Sequence, residues 1–271
     1  MRTLTPEELQ EYANQYQVSV DLAQRDYVAC RVAHAICSDD SVAKGLVFKG
    51  GFVLRLGHGS PRTSKDIDGT IGTKKQAVDP DRLQRVVRSG CRDLWLRFSL
   101  ARVEGSDSLD FGILDYAGPL GPGKLALEFS LREDLLLPRG ELVIDAFDIP
   151  AFKAPVMALP EMVAEKWRCL IQRAPRRPGD PYDLWFLWTD VRHRTQVSPE
   201  DELRPDVIKW AVPKKITLDR AEARTAVADA LAQYRPAWRS HFGVDLPDGS
   251  PSFEEIANAV QEAARAWTPW S

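Results

Sequence analysis

The stretch from residue 46 to residue 71 constrains the fold more than any other part of this 271-residue chain. A short apolar run, LVFK, predicts a strand, and the glycine pair of GGFVLRLG predicts a turn into a short helix. A polar loop, HGSPRTSK, then leads to DIDGTI, in which Asp66 and Asp68 stand two residues apart. Because side chains alternate between the faces of a strand, both carboxylates are expected on one face. The stretch therefore predicts an acidic strand close to a glycine turn.

The rest of the chain indicates an α+β fold. Two helices are expected before this stretch, and a helix with three strand candidates follows it, namely FSLARVEG, SLDFGILDYAG and GKLALEFSLRED. Strands that follow one another without alternating helices favour an antiparallel meander in a mixed sheet. After the sheet the pattern is helical to residue 271. We expect a core of residues 1–150 and a helical domain of residues 151–271 that contributes the second half of an active-site cleft.

The acidic strand admits two chemistries. Residues 66–70, DIDGT, spell the motif of haloacid-dehalogenase-type phosphatases, in which the first aspartate is a nucleophile, and Lys166 and the GDPYD segment follow in a compatible order. That nucleophile follows a buried parallel strand, whereas the polar residues GSPRTSK precede Asp66. The flanking sequence therefore favours a metal-binding carboxylate pair, and the phosphatase stays as the lesser alternative.

The glycine turn supplies groups that complement such a pair. Carboxylate oxygens are suitable ligands for Mg²⁺ or Mn²⁺. Backbone N–H groups at Gly50 and Gly51 can approach a nucleotide phosphate, and Lys49 places a positive charge beside them. Glu128, within LALEFSL, is either a third metal-binding carboxylate from a neighbouring strand or an ordinary surface glutamate of an edge strand.

Four segments together resemble the AbiEii/AbiGii-type nucleotidyltransferase toxins, a family that includes the MenT-like toxins of mycobacteria. They are LVFKGGFVLRL, RTSKDID, EKWRCLIQR and GDPYDL, and they occur in the order that the family shows. The resemblance implies a polymerase-β-type nucleotidyltransferase core. It also implies a type IV-like toxin that transfers NMP from a nucleoside triphosphate to an RNA acceptor, the tRNA 3′ end above all, which blocks translation. A cognate antitoxin protein would be its partner.

The resemblance implies roles for particular residues. Asp66 and Asp68 would hold Mg²⁺ or Mn²⁺, and Lys49 and Lys166 would neutralise phosphate charge. Asp180 would position Lys166 or the acceptor hydroxyl, with Asp183 as the second choice. The predicted catalytic set is Lys49, Asp66, Asp68, Lys166 and Asp180; the nucleotide-binding set is Gly50, Gly51, Ser64 and Lys166; the metal set is Asp66, Asp68 and Glu128.

The chain also departs from the family pattern. Phe52 occupies a position where a small residue or threonine is common, and Gly69 one where an aromatic residue is common. Gly179 replaces the usual arginine before the last motif. Two alternative functions remain. A toxin kinase that phosphorylates its antitoxin could use the same metal and triphosphate site, whereas a regulator without catalytic activity would not need a glycine turn with a lysine beside a carboxylate pair.

Charge and hydropathy bear on partners and location. The net charge of −3 does not itself favour nucleic acid, but basic residues cluster at 173–177, 192–194 and 209–215. Such a cluster is either a solvated face or a phosphate-binding surface. No apolar run approaches the ~20 residues that span a bilayer. We therefore expect a cytoplasmic protein without a membrane segment.

Overall fold

A computed structural model describes most of the chain, in two compact units. The described residues are 2–71, 79–99, 108–130, 134–173, 177–191, 203–216, 218–236, 238 and 249–268. The first unit comprises Met1–Met157 with Asp245–Asp248, and the second comprises Ala158–Val244 with Gly249–Ser271.

The first unit is built on a seven-stranded mixed sheet. Its strand order is β3-β4-β5-β2-β1-β7-β6. Four of the neighbouring pairs are antiparallel, whereas β1 with β7 and β2 with β5 run parallel. The strands are β1 (Leu46–Lys49), β2 (Asp66–Ile71), β3 (Arg97–Ser99), β4 (Ser108–Gly118), β5 (Gly121–Ser130), β6 (Gly140–Ile144) and β7 (Phe152–Val156).

Among the described residues, five α-helices accompany this sheet, and five more belong to the second unit. The first five are α1 (Pro6–Tyr16), α2 (Val20–Cys37), α3 (Asp40–Ala43), α4 (Gly50–Leu56) and α5 (Pro80–Gly90). The second five are α6 (Leu159–Gln172), α7 (Gly179–Phe186), α8 (Pro205–Lys215), α9 (Arg220–Tyr234) and α10 (Phe253–Trp267). The α+β fold and the helical second half are thus as the sequence predicts.

The core of the first unit surrounds the strand that precedes the glycine turn. Phe48 on β1 is fully buried, with ring centroids 5.6 Å from Phe52 and 6.3 Å from Phe129. Phe52 therefore fills the core at a position where the resemblance led us to expect a small residue or threonine. A Cβ on Gly69 would lie 2.4 Å from the Phe129 ring. The glycine at 69 thus makes room for Phe129, which explains the second departure from the family pattern in terms of packing.

One strand lies in a segment whose prolines obscure it in the sequence. Residues 148–160, DIPAFKAPVMALP, read as a proline-spaced connection, yet Phe152–Val156 forms β7. Phe48 on β1 pairs with Val156, and the whole of β7 pairs with β6. Because β7 belongs to the sheet, the first unit extends to Met157 and not to the expected boundary at residue 150.

The second unit has its own aromatic core. Trp167 on α6, Tyr182 and Phe186 on α7 and Trp267 on α10 are all buried. Helix α6 packs against α8, and α7 packs against α10. Residues 187–191 continue α7 as a turn of π-helix. Within the described ranges, no helix is both long and apolar enough to cross a membrane.

Candidate active site

A row of charged residues crosses the middle of the sheet. Lys49 on β1 is the antiparallel register partner of Asp68 on β2, and Asp68 is the parallel register partner of Glu128 on β5. Register partners on adjacent strands lie on the same face of a sheet, and so do residues two apart on one strand. Lys49, Asp66, Asp68 and Glu128 therefore share one face, as a common nucleotide site requires.

The position of Asp66 within its strand bears on the phosphatase alternative. Asp66 is the first residue of β2, and the residues immediately before it belong to a loop. A phosphatase nucleophile would have to follow a buried strand. The phosphatase interpretation is therefore inconsistent with the local geometry.

The glycine turn approaches the Asp68 carboxylate closely. Gly50 has a φ of +72°, and a Cβ added there would lie 2.4 Å from Asp68 Oδ2. No other residue type accommodates both that backbone conformation and that approach. The Asp68 carboxylate therefore occupies the space where a side chain at residue 50 would stand, and it lies directly against the turn.

The second glycine approaches the loop before β2. A Cβ on Gly51 would lie 2.7 Å from Arg62 Nη2 and 2.9 Å from Ser64 Oγ. The Ser64 hydroxyl donates towards the carbonyl oxygen of Asp66 at 3.0 Å and its Oδ1 at 3.2 Å. Ser64, predicted to bind nucleotide, therefore also orients Asp66. Arg62 lies at the same turn, and the sequence interpretation did not single it out, although its segment was part of the resemblance.

A buried ion pair anchors the loop that carries Arg62 and Ser64. Arg55 on α4 donates from Nε to Asp26 Oδ2 on α2 at 2.9 Å, and both side chains are 3% exposed. Arg55 Nη1 donates to the carbonyl oxygens of Ser60 at 2.9 Å and Pro61 at 3.2 Å. Burial raises the pKa of Asp26 to about 6, against the opposing effect of Arg55. The loop is therefore fastened to the helical layer of the first unit.

The donors in this unit fit a divalent cation that prefers oxygen. Asp66 and Asp68 supply carboxylate oxygens on one face, and the Asp68 carboxylate lies against the backbone of Gly50. Among the described residues, no three His, Cys, Asp or Glu side chains are grouped so that they could hold one metal ion. The Glu128 side chain is exposed. Asp66, Asp68 and Glu128 thus share a face without forming a three-ligand group, and Glu128 as a metal ligand stays a prediction.

In the second unit, Lys166 on α6 is held by the carboxylates of α7. Its Nζ lies 2.7 Å from Asp183 Oδ2 and 3.9 Å from Asp180 Oδ1. Asp180 instead accepts from Arg173 Nη1 at 3.2 and 3.1 Å on its two oxygens. Asp183, ranked behind Asp180 from the sequence, is therefore the nearer carboxylate. Helical spacing places both aspartates on one face of α7, but the sequence does not show which one meets Lys166.

A second set of buried charges joins α6 to α8. Lys215 Nζ lies 3.0 Å from Glu161 Oε1 and 2.9 Å from Glu165 Oε1, and Glu161 is fully buried. Burial acts to lower the pKa of Lys215, but Glu165 and Glu161 together raise it above its usual value. Glu165 also accepts from Arg168 at 2.7 Å. These pairs neutralise charge inside the helical unit.

The basic cluster seen in the sequence consequently contains residues of two kinds. Arg173 and Lys215 form ion pairs with buried carboxylates of their own unit, which partly compensate their charges. The phosphate-binding surface stays a prediction. Lys209 and Lys214 are exposed. Arg176 and residues 192–194 lie outside the described part of the chain.

Comparison with known proteins identifies the family and the fold. A family model described as the nucleotidyl transferase AbiEii toxin of type IV toxin–antitoxin systems matches residues 34–259. Two solved structures from Helicobacter pylori have the same fold, each with a TM-score of 0.58 and each aligned over 92% of this chain. One, a putative nucleotidyltransferase, is 16% identical and is covered to 95% of its length; the other, JHP933, is 17% identical and is covered to 92%. No curated protein sequence matches the chain. The family match spans far more than half of the chain, so this protein belongs to the AbiEii nucleotidyltransferase toxin family.

Proposed function

We propose that this protein transfers a nucleoside monophosphate from a nucleoside triphosphate to the 3′ end of an RNA, with tRNA as the acceptor. One observation carries the proposal: Lys49 and Asp68 are register partners on β1 and β2, and the Asp68 carboxylate lies against the glycine turn, where a side chain at Gly50 would stand. A lysine, a carboxylate that can hold a metal ion and the backbone N–H groups of a glycine turn are suitable groups for binding a metal-bound triphosphate. Membership of the family supports both the triphosphate substrate and an antitoxin partner.

The covalent step is a substitution at phosphorus. The acceptor 3′-hydroxyl oxygen forms a bond to the α-phosphorus, and the bond from that phosphorus to the bridging oxygen breaks. Pyrophosphate leaves with the electron pair, and the hydroxyl proton is lost to solvent. Mg²⁺ or Mn²⁺ held by Asp66 and Asp68 would supply charge stabilisation and make the hydroxyl more acidic.

Residues of the chain would bind the phosphates and orient the metal-binding carboxylate for this step. Lys49 balances negative charge on the phosphates, and the Gly50–Gly51 turn admits them close to the backbone. Ser64 fixes the orientation of Asp66 through its hydrogen bonds. Lys166, predicted from the sequence to neutralise phosphate charge, is held by Asp183 and Asp180 within the second unit. Its pairing with Asp183 means that it acts as an oriented donor more than as an uncompensated charge.

A kinase acting on the antitoxin is the second candidate, because the same groups could bind a triphosphate for γ-phosphoryl transfer. Incubation with RNA, the antitoxin and labelled nucleoside triphosphate separates the two. We expect label from the α-position to appear on tRNA. Label from the γ-position on the antitoxin, with none from the α-position on RNA, would establish the kinase instead.

The identity of the acceptor can be tested separately from the type of group that is transferred. Lys209 and Lys214 are exposed members of the basic cluster and could contact RNA phosphates. If they contact phosphates, tRNA affinity falls with salt, and each Lys→Gln change lowers the log–log salt slope by about one. An unchanged slope in both variants would remove these lysines from the acceptor site. If another RNA is labelled and tRNA is not, the nucleotide transfer stands and only the assignment of tRNA as the acceptor is wrong.

A further inference from the structure

We propose that Arg62 binds the phosphates of the nucleoside triphosphate, as a cation of the glycine turn in addition to Lys49. The inference rests on the proposed function, because it assigns a residue to the same triphosphate site. Arg62 lies outside the predicted sets of catalytic, nucleotide-binding and metal-binding residues. Its position against Gly51 is what brings it into the site.

The guanidinium lies where a side chain at residue 51 would stand. Arg62 Nη2 is 2.7 Å from the position of a Cβ on Gly51, and Arg62 Nη1 donates to the carbonyl oxygen of Thr63 at 3.2 Å. Gly51 is adjacent to Gly50, whose own missing Cβ faces Asp68. Gly50 thus brings the backbone close to the Asp68 carboxylate, and Gly51 brings it close to the Arg62 guanidinium. A cation and an anion side by side at one turn match a triphosphate with its metal ion.

The backbone that carries Arg62 is held in place before any ligand arrives. The carbonyl oxygens of Ser60 and Pro61, the two residues before Arg62, both accept from Arg55 Nη1. Arg55 in turn is paired with Asp26 in the interior of the unit. A group placed in advance loses less conformational entropy when it binds a ligand. The anchor therefore favours a binding role for the guanidinium that follows it.

A second polar group beside Arg62, the Thr63 hydroxyl, also supports a ligand at this turn. The Thr63 side chain is 2% exposed, and its Oγ1 has no hydrogen-bond partner among the residues that the structure describes. A buried hydroxyl without a partner costs free energy unless another group satisfies it. Thr63 lies between Arg62 and Ser64, both of which approach Gly51. A ligand at this turn that carries several acceptor oxygens would use the guanidinium and the hydroxyl together.

The chemistry of guanidinium makes phosphate the natural ligand. Its planar array of N–H donors matches two oxygens of a phosphate, which a lysine ammonium does not do. Arg62 is half-buried, so its charge is screened less by water than that of a fully exposed arginine. The lysine and the arginine of the turn would then divide the triphosphate between them, with Arg62 on the side of Gly51 and Lys49 on the side of Asp68.

Calorimetric titration with triphosphates tests the assignment without any turnover. The probes are the four ribonucleoside triphosphates with an α,β-methylene bridge, in the presence of Mg²⁺. Arg62→Gln removes the charge, and Arg62→Lys keeps the charge but loses the planar donor array. Lys65→Gln is the matched control, because it removes one positive charge from an exposed residue of the same loop. Thermal unfolding of each variant shows whether it is folded.

We expect Arg62→Gln to weaken binding about 10- to 100-fold, which is the range for loss of a charged hydrogen-bond partner. Arg62→Lys should fall between that variant and the wild type, and Lys65→Gln should change the affinity less than about threefold. Equal affinity of Arg62→Gln and wild type would overturn the assignment, and so would equal weakening by Arg62→Gln and Lys65→Gln. If Arg62→Gln does not fold, wild-type affinity in Arg62→Lys overturns it. A wild type that binds none of the four triphosphates would overturn the proposed function as well.

Discussion

Lys166 forms its shortest ion pair with Asp183, at 2.7 Å, and Asp180 lies 3.9 Å from the same ammonium. The side chain of Asp183 is 1% exposed and that of Lys166 is 10% exposed. Asp180 makes its closer contacts with Arg173, whose side chain is 33% exposed. The two carboxylates of the GDPYD segment therefore have different partners and different surroundings.

Because their partners differ, substitutions at Asp183 and Asp180 should lower the free energy of unfolding by different amounts. Asp183→Asn leaves the buried Lys166 ammonium without its closest carboxylate, and we expect a loss of unfolding free energy on the order of 3 kcal/mol. Asp180→Asn releases Arg173, which can turn towards water, so we expect a loss of about 1 kcal/mol. Urea unfolding of the two variants measures the difference. Equal losses, or a larger loss in Asp180→Asn, would contradict the assignment of Asp183 as the main partner of Lys166.

Two glycines with positive φ permit a matched test of the turn. Gly50 and Gly59 have φ values of +72° and +76°, but only at Gly50 would a Cβ meet another atom within 4 Å, namely Asp68 Oδ2. Alanine at either position should cost about 1 to 2 kcal/mol of stability from the backbone conformation alone. We expect only Gly50→Ala to abolish nucleotide transfer, because it displaces the Asp68 carboxylate. Comparable transfer rates in the two variants would mean that the turn at Gly50 does not serve the reaction.

Substitution of the adjacent residues Lys214 and Lys215 on α8 should change the free energy of unfolding by different amounts. Lys215 is paired with two buried glutamates, whereas Lys214 is exposed and lies 4.7 Å from the centroid of the Trp210 ring. Lys215→Gln should lower the unfolding free energy by about 3 kcal/mol, because it leaves buried carboxylates uncompensated. Lys214→Gln should change it by about 0.5 kcal/mol or less. Chemical denaturation distinguishes them, and a stable Lys215→Gln variant would show that the buried charges are relieved in another way.

Asp26 predicts a specific pH dependence. Its folded pKa of about 6 lies above the ordinary aspartate value because the carboxyl is buried. The folded protein therefore binds this proton more tightly than the unfolded chain does. The stability of the wild type relative to Asp26→Asn should be greatest near pH 4 and fall as the pH rises to about 6. Its slope should approach at most about 1.4 kcal/mol per pH unit, and the difference should be constant above that range.

Carboxyl carbon NMR gives the midpoint directly. A titration of Asp26 with a midpoint close to 6 would agree with burial as the dominant influence. A midpoint below 4 would show that Arg55 outweighs burial, and the relative stability would then rise with pH through that lower range.

Much of this arrangement can be predicted from the sequence, because local patterns determine it. The strand, glycine turn and acidic strand follow from residue order, and the period of two places Asp66 and Asp68 on one face. The helices of the second unit follow from their apolar spacing and their capping residues, as in the capping box between Ser252 and Glu255 at the start of α10.

Other features depend on contacts between distant segments, which residue order does not reveal. Strand β7 forms because Phe152–Val156 pairs with β1 and β6, although its prolines suggest a loop. The partners of Lys166 and Lys215 are set by how α6 meets α7 and α8. The place of Arg62 depends on the anchor from Arg55. The expectation that Lys166 and Asp180 join the carboxylates of β2 in one cleft stays a prediction.

The most direct test of the account is the rate at which label from α-labelled nucleoside triphosphate is transferred to RNA by wild type, Asp68→Asn and Glu141→Gln. Asp68 faces Lys49 across the strands, whereas Glu141, on β6, is exposed and forms an ion pair with Lys153, so its variant controls for loss of one surface carboxylate. We predict that the wild type and Glu141→Gln transfer label at similar rates and that folded Asp68→Asn is slower by at least about 100-fold, the scale expected for loss of a group that stabilises transition-state charge. Transfer by folded Asp68→Asn at the wild-type rate would contradict the placement of the reaction at this strand.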